Sequence, residues 1–195
     1  MHATLIKLKS RPLNRALRIL LCTHGAILTA SSAIGPIYAL FVEKVGGDLL
    51  DASLAGTVFA LATGLAMMVS GKFSNEAKQK EKLLSLGYAI VGIGFILYIF
   101  VGSIWELLLV QVIIGIGTAI YTPSHDALYS VHLDNHKEAL EWGIWESMYY
   151  FTAAIGALVG GLIVTMFGFN TLFIVISALT FGSSLYIFRL PRRIL

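Results

Sequence analysis

The sequence has 195 residues, of which 57% are apolar and 13% are charged, against about 25% charged residues in a typical soluble domain. A water-soluble domain of this length could not bury so much apolar surface, so the composition excludes a soluble protein. The formal net charge is only +3, and the basic residues fall in clusters between long uncharged runs, which excludes a nucleic-acid-binding patch and indicates loops beside membrane spans.

Six apolar runs are long enough to cross a membrane, whose interior of about 30 Å requires about 20 helical residues. They predict an all-α integral membrane protein with transmembrane helices over residues 19–41, 52–71, 83–101, 104–122, 143–167 and 169–188. The fourth helix is expected to continue past Pro123 toward Tyr129, because serine and threonine can bond the carbonyl groups that a proline leaves free. The first run begins like a signal peptide, but its continuation to Val42 favours an uncleaved span.

The basic residues predict the orientation. With the amino terminus in the cytoplasm, thirteen of the 14 Lys and Arg residues lie on the cytoplasmic side, and only Lys44 lies outside. This bias predicts cytoplasmic termini in a cell (inner) membrane protein and makes any homodimer parallel. The chain then divides into a basic cytoplasmic segment, residues 1–18, a six-helix bundle, residues 19–188, and a basic cytoplasmic tail, residues 189–195.

Motifs for enzymatic chemistry are missing from the sequence. It contains no phosphate-binding Gly-Lys-Ser/Thr loop, and the pair His132 and His136 lacks a convincing set of further metal ligands. The single cysteine, Cys22, lies in an apolar run and excludes an intrachain disulfide. No soluble segment is long enough for a catalytic module. We therefore predict neither an enzyme nor a metal or cofactor site.

A basic loop connects the second and third predicted helices. Residues 71–83 read Gly-Lys-Phe-Ser-Asn-Glu-Ala-Lys-Gln-Lys-Glu-Lys-Leu. This segment resembles the cytoplasmic loop motif of the major facilitator superfamily, in the same place between helices. Asn75 stands where the family has an acidic residue, and Lys78 stands where it has a second glycine.

Two motifs in the second half extend the resemblance. Residues 111–119 read Gln-Val-Ile-Ile-Gly-Ile-Gly-Thr-Ala and resemble the family's fourth-helix motif, with Gln111 in place of its arginine. Residues 156–161 read Gly-Ala-Leu-Val-Gly-Gly and resemble its fifth-helix motif. The motifs occur in the family's order and together cover nearly the whole chain. The resemblance implies a half bundle of two inverted three-helix repeats, which is one half of a transporter that normally has twelve helices.

The glycines of the fifth helix also have a physical interpretation. Helices in lipid associate through close packing rather than through the hydrophobic effect. Gly156, Gly160 and Gly161 are therefore predicted to let two backbones approach each other. Such packing explains these glycines with or without transport.

The resemblance further implies a cytoplasmic gate. In the family, an acidic residue at the end of the fourth helix often meets the basic residues of the loop motif. The gate candidates are accordingly Asn75, Lys78, Lys80 and Asp126, with Asp126 pairing with Lys78 or Lys80. A solvated Asp126 without a gating role is the alternative.

Polar residues inside the predicted spans are candidates for a cavity, because burying them in a membrane is costly. His24, Ser31 and Tyr38 recur at intervals of about two helical turns and share a face of the first helix, although neighbouring carbonyls could also satisfy His24 and Ser31. Trp142 and Trp145 of the fifth helix fit an interfacial aromatic belt. The predicted cavity residues are His24, Ser31, Tyr38, Gln111, Glu146 and Tyr149.

These observations predict a secondary active transporter that moves a small molecule by alternating access. One six-helix bundle supplies one wall, so we expect a parallel homodimer around a shared cavity, with His24, Glu146 or Asp126 available for proton coupling. The expected partners are membrane lipid, a small-molecule substrate and a second copy of the chain, and no nucleic acid. Two alternatives stay open: a non-transporting membrane partner or assembly protein, and one half of a longer twelve-helix transporter.

Overall fold

The computed structural model of the chain describes residues 13–191 and 194–195. Most of the predicted basic segment 1–18 and part of the tail 189–195 lie outside the described residues, among them Lys7, Lys9, Arg11, Arg192 and Arg193. The described part is helical, with short connections and no β-strand.

The described part contains seven α-helices, which form six spans that are long and apolar enough to cross a membrane. The helices are α1 (Arg15–Ile34), α2 (Tyr38–Lys44), α3 (Leu49–Glu76), α4 (Lys80–Leu97), α5 (Ile104–Val131), α6 (Glu138–Phe167) and α7 (Phe169–Arg189). The first span contains α1 and α2, and each other helix forms one span. The predicted architecture of six transmembrane helices is confirmed, and the even number of spans leaves both ends of the bundle on the same side of the membrane.

Four helices, α1, α3, α4 and α6, begin before the predicted apolar runs, and polar side chains cap the first turns of α1 and α3. At the start of α3, the carboxylate of Asp48 accepts hydrogen bonds from the N–H groups of Leu50 and Asp51 at 2.8 and 3.0 Å. The carboxylate of Asp51 accepts from the N–H of Asp48 at 3.0 Å and completes a capping box. A hydropathy profile depends on apolar residues only, so it predicts a helix start several residues after the true one.

The first span is not a continuous α-helix. A turn of 3₁₀-helix over Gly35–Ile37 separates α1 from α2. Pro36 lies in this turn, and a proline has no N–H to donate to the carbonyl four residues earlier. The helix predicted over residues 19–41 is therefore interrupted at 35–37, beside the cavity described below.

α5 continues through Pro123, and its predicted extension past this residue is confirmed. Proline leaves the carbonyl of Ala119, four residues earlier, without its helical donor. The hydroxyl of Ser70, on α3, donates to this carbonyl. A bond between two helices thus replaces the backbone bond that the proline removes.

Replacing Ser70 by alanine is expected to lower the free energy of unfolding by about 1 kcal/mol, the usual order for a hydrogen bond between transmembrane helices. The loss should shrink in the Pro123→Ala background, because alanine restores the backbone donor to Ala119. Reversible unfolding of the four proteins of this double-mutant cycle in detergent measures the coupling. Ser53→Ala is the matched control, since Ser53 bonds only within its own helix. Equal losses in both backgrounds would contradict the assignment.

The helices pack in a pattern that repeats after three spans. α1 packs on α6 and α7, α5 packs on α3 and α4, and α4 packs on α7. Exchanging the first three spans with the last three reproduces these contacts, whereas in the described part of the chain the contact of α6 with α7 has no comparable counterpart between α3 and α4. This is the pattern expected of two three-helix repeats within one bundle.

Glycine allows the closest of these approaches. A Cβ atom added to Gly87 on α4 would lie 2.7 Å from the backbone nitrogen of Tyr121. A Cβ atom added to Gly117 on α5 would lie 2.9 Å from the backbone nitrogen of Val91. α4 and α5 therefore cross with their backbones nearly in contact, as small residues permit in lipid.

Candidate functional site

A cavity of about 380 Å³ is lined by the three spans of the first repeat and by α5 of the second. Its walls come from α1, the 3₁₀ turn and α2 on one side, from α3 and α5 on the other, and from the end of α4. Three predicted cavity residues, Ser31, Tyr38 and Gln111, line it together. Its other lining residues are Leu28, Ile34, Gly35, Gly56, Phe59, Phe95, Tyr98, Ile114, Thr118 and Tyr121.

A glutamine and two tyrosines form the polar centre of this cavity. The amide nitrogen of Gln111, on α5, donates to the hydroxyl oxygen of Tyr38 at 2.5 Å and to that of Tyr98 at 3.0 Å. Tyr38 is placed by the break in the first span, and Tyr98 by the 3₁₀ turn that ends α4. Both hydroxyls accept from Gln111 and also hydrogen-bond to each other, so one hydroxyl proton is shared within the pair and the other is left to donate. The arrangement can therefore bind a neutral hydrogen-bond acceptor.

The remaining cavity wall is apolar and aromatic. Phe59, Phe95 and Tyr121 contribute rings, and Leu28 and Ile114 contribute aliphatic side chains. No charged side chain lines the cavity among the described residues. An apolar wall around a few placed polar groups is typical of a small-molecule site.

A cluster of aromatic and histidine rings lies under the cavity floor, which is formed by Tyr121. His24, a predicted cavity residue, is buried and does not line the cavity. Its ring stacks on that of His125 with 4.1 Å between centroids, and its Nδ1 lies 3.1 Å from the hydroxyl of Tyr88. Its ring also meets that of Tyr121, which lines the cavity, at 5.5 Å. The cluster is therefore connected to the cavity through Tyr121.

The two tryptophans of α6 pack into the same region. The ring of Trp145 lies 6.1 Å from that of His24, and the ring of Trp142 lies 5.0 Å from that of Tyr129. Both indoles contact buried rings of α5, so they contribute to the interior as well as to any interfacial belt.

Two predicted cavity residues of α6 lie elsewhere. Glu146 and Tyr149 are exposed on the surface of the described bundle, and neither lines the cavity. α6 packs on α1 through Trp145, Met148 and the glycines Gly156 and Gly160, and Glu146 and Tyr149 lie outside this contact. The structure therefore separates these two side chains from Ser31, Tyr38 and Gln111.

The gate candidates do not meet in this structure. Asp126 lies 3.2 Å from Nδ1 of His125, and Lys80 donates to the backbone carbonyl of Ala77 at 3.3 Å. Asn75 and Lys78 are exposed near the end of α3. The pairing of Asp126 with Lys78 or Lys80 stays a prediction for another conformation of the bundle.

Two of the three α6 glycines lie against α1. A Cβ atom added to Gly156 would lie 2.6 Å from the carbonyl oxygen of Thr29, and one added to Gly160 would overlap the backbone of Ala33. Gly161 has no heavy atom within 4 Å of such a Cβ atom in the described part. Gly156 and Gly160 thus face α1, and Gly161 faces away from it.

Sequence reasoning missed several residues of the site. Tyr121, His125 and Tyr129 follow one another at intervals of four and share a stripe of α5, which is a readable signal. Tyr98 carries no comparable signal, because its position depends on the 3₁₀ turn that ends α4. Tyr88 is isolated in the sequence and meets His24 only through the packing of α1 and α4.

Comparison with known proteins identifies similar chains. A family model described as the Major Facilitator Superfamily matches residues 20–194. The chain is 28% identical over 166 residues to the multidrug resistance protein MdtG of Proteus mirabilis, covering 80% of this chain and 40% of MdtG. It is 32% identical over 150 residues to the proton-coupled antiporter flippase LtaA of Staphylococcus saprophyticus, covering 72% of this chain and 35% of LtaA.

A third relative differs in length. The chain is 26% identical over 159 residues to the uncharacterized MFS-type transporter YitZ of Bacillus subtilis, covering 80% of this chain and 94% of YitZ. The chain therefore spans less than half of MdtG and of LtaA but nearly all of YitZ.

Proposed function

The chain belongs to the major facilitator superfamily and is a multi-pass protein of the cell membrane, and from this premise we propose that it moves a small molecule across the membrane by secondary active transport. The cavity lined by the first four spans carries the proposal. It has a polar centre in Gln111, Tyr38 and Tyr98, and it lies where the first and fourth spans face each other. Alternating access requires such a site near the middle of the membrane.

The lining of the cavity supports a substrate that is largely apolar and carries a neutral acceptor group. The tyrosine pair supplies a donor, and the surrounding rings supply apolar contact. A fixed charge on the substrate would find no opposite charge among the described lining residues and would be costly to bury. The relatives named as a multidrug resistance protein and as a flippase are consistent with an apolar substrate.

We propose that the working unit is a parallel homodimer. The chain spans 40% of MdtG and 35% of LtaA, so one copy supplies about half of their length. Transporters of this family place a midplane site between two bundles that are related by an axis along the membrane normal. A second copy of this bundle would supply the missing wall, and YitZ is a relative of similar half length.

The exposed faces of α3 and α6 support a helix-packing interface. Only Ala55 and Ser74 are buried on α3. Gly56, Ala60 and Gly64 recur at intervals of four on an exposed side, and Gly56 borders the cavity. Small residues at this spacing let transmembrane helices approach closely. On α6, the exposed Ala154 and the half-buried Gly161 form a comparable strip of small residues. A two-fold axis beside the cavity pairs α3 of one copy with α6 of the other.

A cross-link tests this dimer. Cys22 is the only cysteine, so Cys22→Ser gives a background for single additions. Ala60 and Ala154 lie at similar distances from the predicted outer ends of α3 and α6. We expect A60C/A154C to form an intermolecular disulfide in membranes. The control is Leu61→Cys with A154C, which moves the thiol to the neighbouring exposed face of α3 and should form much less disulfide. A strictly monomeric protein without cross-link would support one half of a longer transporter.

We further propose that a proton gradient drives transport. Of the predicted proton carriers, His24 belongs to the ring cluster under the cavity, Asp126 lies beside the cluster in contact with His125, and Glu146 lies on the exposed surface of α6. LtaA, which the chain resembles, is named as a proton-coupled antiporter. The position of His24 between the cavity and Asp126 favours this part of the bundle as the coupling region.

Flux measurements test transport directly. Purified protein in lipid vesicles is expected to move a neutral lipophilic dye faster than protein-free vesicles, and an imposed pH gradient should change the rate. Vesicles that contain Gly160→Leu protein, which is expected not to fold, provide the control for leakage caused by added protein. No flux for a panel of neutral lipophilic compounds would favour a non-transporting membrane partner.

A further inference from the structure

Two buried histidines face each other in the ring cluster. His24 on α1 is 4% exposed, His125 on α5 is 0% exposed, and their rings stack with an angle of 23° between planes. Two imidazolium ions at this separation would repel each other, so the pair can hold one proton more easily than two. The charge of one ring therefore depends on the charge of the other.

The pair lies between cytoplasm-facing and cavity-facing groups. On one side, Nδ1 of His125 lies 3.2 Å from the carboxylate of Asp126, which is 47% exposed. On the other side, the ring of His24 meets Tyr121 of the cavity floor. A proton bound by the pair therefore lies between the cytoplasm-facing Asp126 and the cavity floor.

Two buried nitrogen atoms at the histidine pair lack hydrogen-bond partners among the described residues. Nε2 of His125 and Nε1 of Trp145 are both buried without a hydrogen-bond partner in the described part. An imidazolium needs acceptors for both of its N–H groups, and Nε2 of His125 has none. In this packed arrangement the pair is therefore best held neutral. A charged pair needs water or an acceptor at Nε2, which requires the surrounding helices to separate.

Side chains of α4, α5 and α6 surround the pair. α4 contributes Tyr88, and α5 contributes Tyr121, Asp126 and Tyr129. α6 contributes Trp145 and, one contact further away, Glu141, whose backbone carbonyl accepts from Tyr129 at 2.6 Å. The carboxylate of Glu141 accepts instead from the N–H of Asp134 at 2.8 Å. Asp126 is thus the carboxylate in direct contact with the pair.

We propose that His24 and His125 form one proton-binding site, which takes up a proton when the cytoplasmic half of the bundle opens and loses it when the helices pack as seen here. The proton binds a ring nitrogen, and Asp126 balances the charge. The role of this site in coupling rests on the proposed transport function. Its existence as a proton site does not.

Trp145 reports the state of the pair, because a protonated imidazole in ring contact quenches indole fluorescence. Trp105→Phe and Trp142→Phe leave Trp145 as the single tryptophan. As the pH falls from about 8 to about 5, where histidine titrates, we expect a single transition in the emission of Trp145. This transition should correspond to the binding of one proton. The transition should vanish in H24Q and equally in H125Q, and it should persist in H132Q, which lies outside the pair.

Asp126→Asn gives a second measurement on protein with both histidines intact. Removing the neighbouring negative charge should weaken proton binding by about tenfold and move the transition to more acidic pH. Circular dichroism and size-exclusion chromatography establish folding of each variant. If both glutamine variants fail to fold, an unmoved transition in D126N contradicts the proposal. No transition in the parent, or one that survives in either H24Q or H125Q, overturns it.

Vesicle flux separates this proposal from the transport proposal. With H125Q, the ratio of flux under a pH gradient to flux without one should fall to about one, whereas H132Q should keep the parent ratio. A Trp145 transition without flux in the parent would reject transport and leave the proton site intact. Flux without the transition would reject the site and leave transport intact.

Discussion

Gly160→Leu is expected to prevent the bundle from folding, whereas Gly161→Leu is expected to leave it folded. A Cβ atom at Gly160 would overlap the backbone of Ala33 on α1. Backbone cannot rotate away as a side chain can, and even ordinary overpacking costs about 1–3 kcal/mol. α1 and α6 would have to separate along their shared contact. The expected loss exceeds about 3 kcal/mol, a large share of a typical stability of about 5–15 kcal/mol.

The adjacent glycine provides a closely matched control. A Cβ atom at Gly161 would meet no heavy atom within 4 Å in the described part. Both changes add the same side chain to neighbouring positions of α6, so lipid insertion and helix propensity change alike. The yield of monodisperse protein in detergent and its thermal unfolding measure the difference. Similar behaviour of the two variants would show that α6 does not pack on α1 through Gly160.

The same control also bears on the proposed dimer. Gly161 belongs to the strip of small residues on α6, which we place against α3 of a second copy. Gly161→Leu should therefore fold as a single bundle and weaken the A60C/A154C cross-link. A fully retained cross-link would place the interface elsewhere on the bundle.

The six spans followed from hydropathy alone, because the membrane requires long apolar helices whatever their neighbours are. The packing partners did not follow. Gly156, Gly160 and Gly161 look alike in the sequence, yet two face α1 and one does not. Which glycine faces a neighbour depends on the rotation of α6, and lipid tolerates an apolar side chain in nearly every orientation.

The site was predictable where its residues share one helix. The seven-residue spacing of Ser31 and Tyr38 placed both on one face of the first span, and the structure places both in the cavity. Gln111 came from the resemblance to a family motif. The partners that give these residues their chemistry come from other helices, so no local pattern connects Gln111 with Tyr98 or His24 with His125.

The grouping of polar residues also explains why the cavity and the histidine pair are distinct. Gln111 and the two tyrosines are neutral at every ordinary pH, so they suit substrate binding without titrating. His24 and His125 can titrate but lie under the floor, where the ring of Tyr121 separates them from the cavity. Substrate and proton would then occupy neighbouring sites that share Tyr121, which is an arrangement suited to coupling.

Gln111→Leu is expected to reduce transport by tenfold or more. Leucine fills a similar space but removes both hydrogen bonds that hold Tyr38 and Tyr98, which have N···O distances of 2.5 and 3.0 Å. The hydroxyls then lose their common orientation toward the cavity. A loss of about 1.4 kcal/mol in substrate binding corresponds to a tenfold change, and one or two misplaced hydrogen bonds supply that amount.

Tyrosine variants separate orientation from contact. Tyr38→Phe and Tyr98→Phe each remove one hydroxyl of the polar centre and should raise the half-saturation concentration. The double variant should approach the defect of Gln111→Leu. Tyr186→Phe is the control, because this tyrosine is exposed on α7 away from the cavity. Initial rates of dye uptake in vesicles, at equal protein content, measure the effect. Unchanged affinity and rate in Gln111→Leu would exclude this polar centre as the substrate site, because no other polar group of the cavity contacts both tyrosine hydroxyls in the described structure.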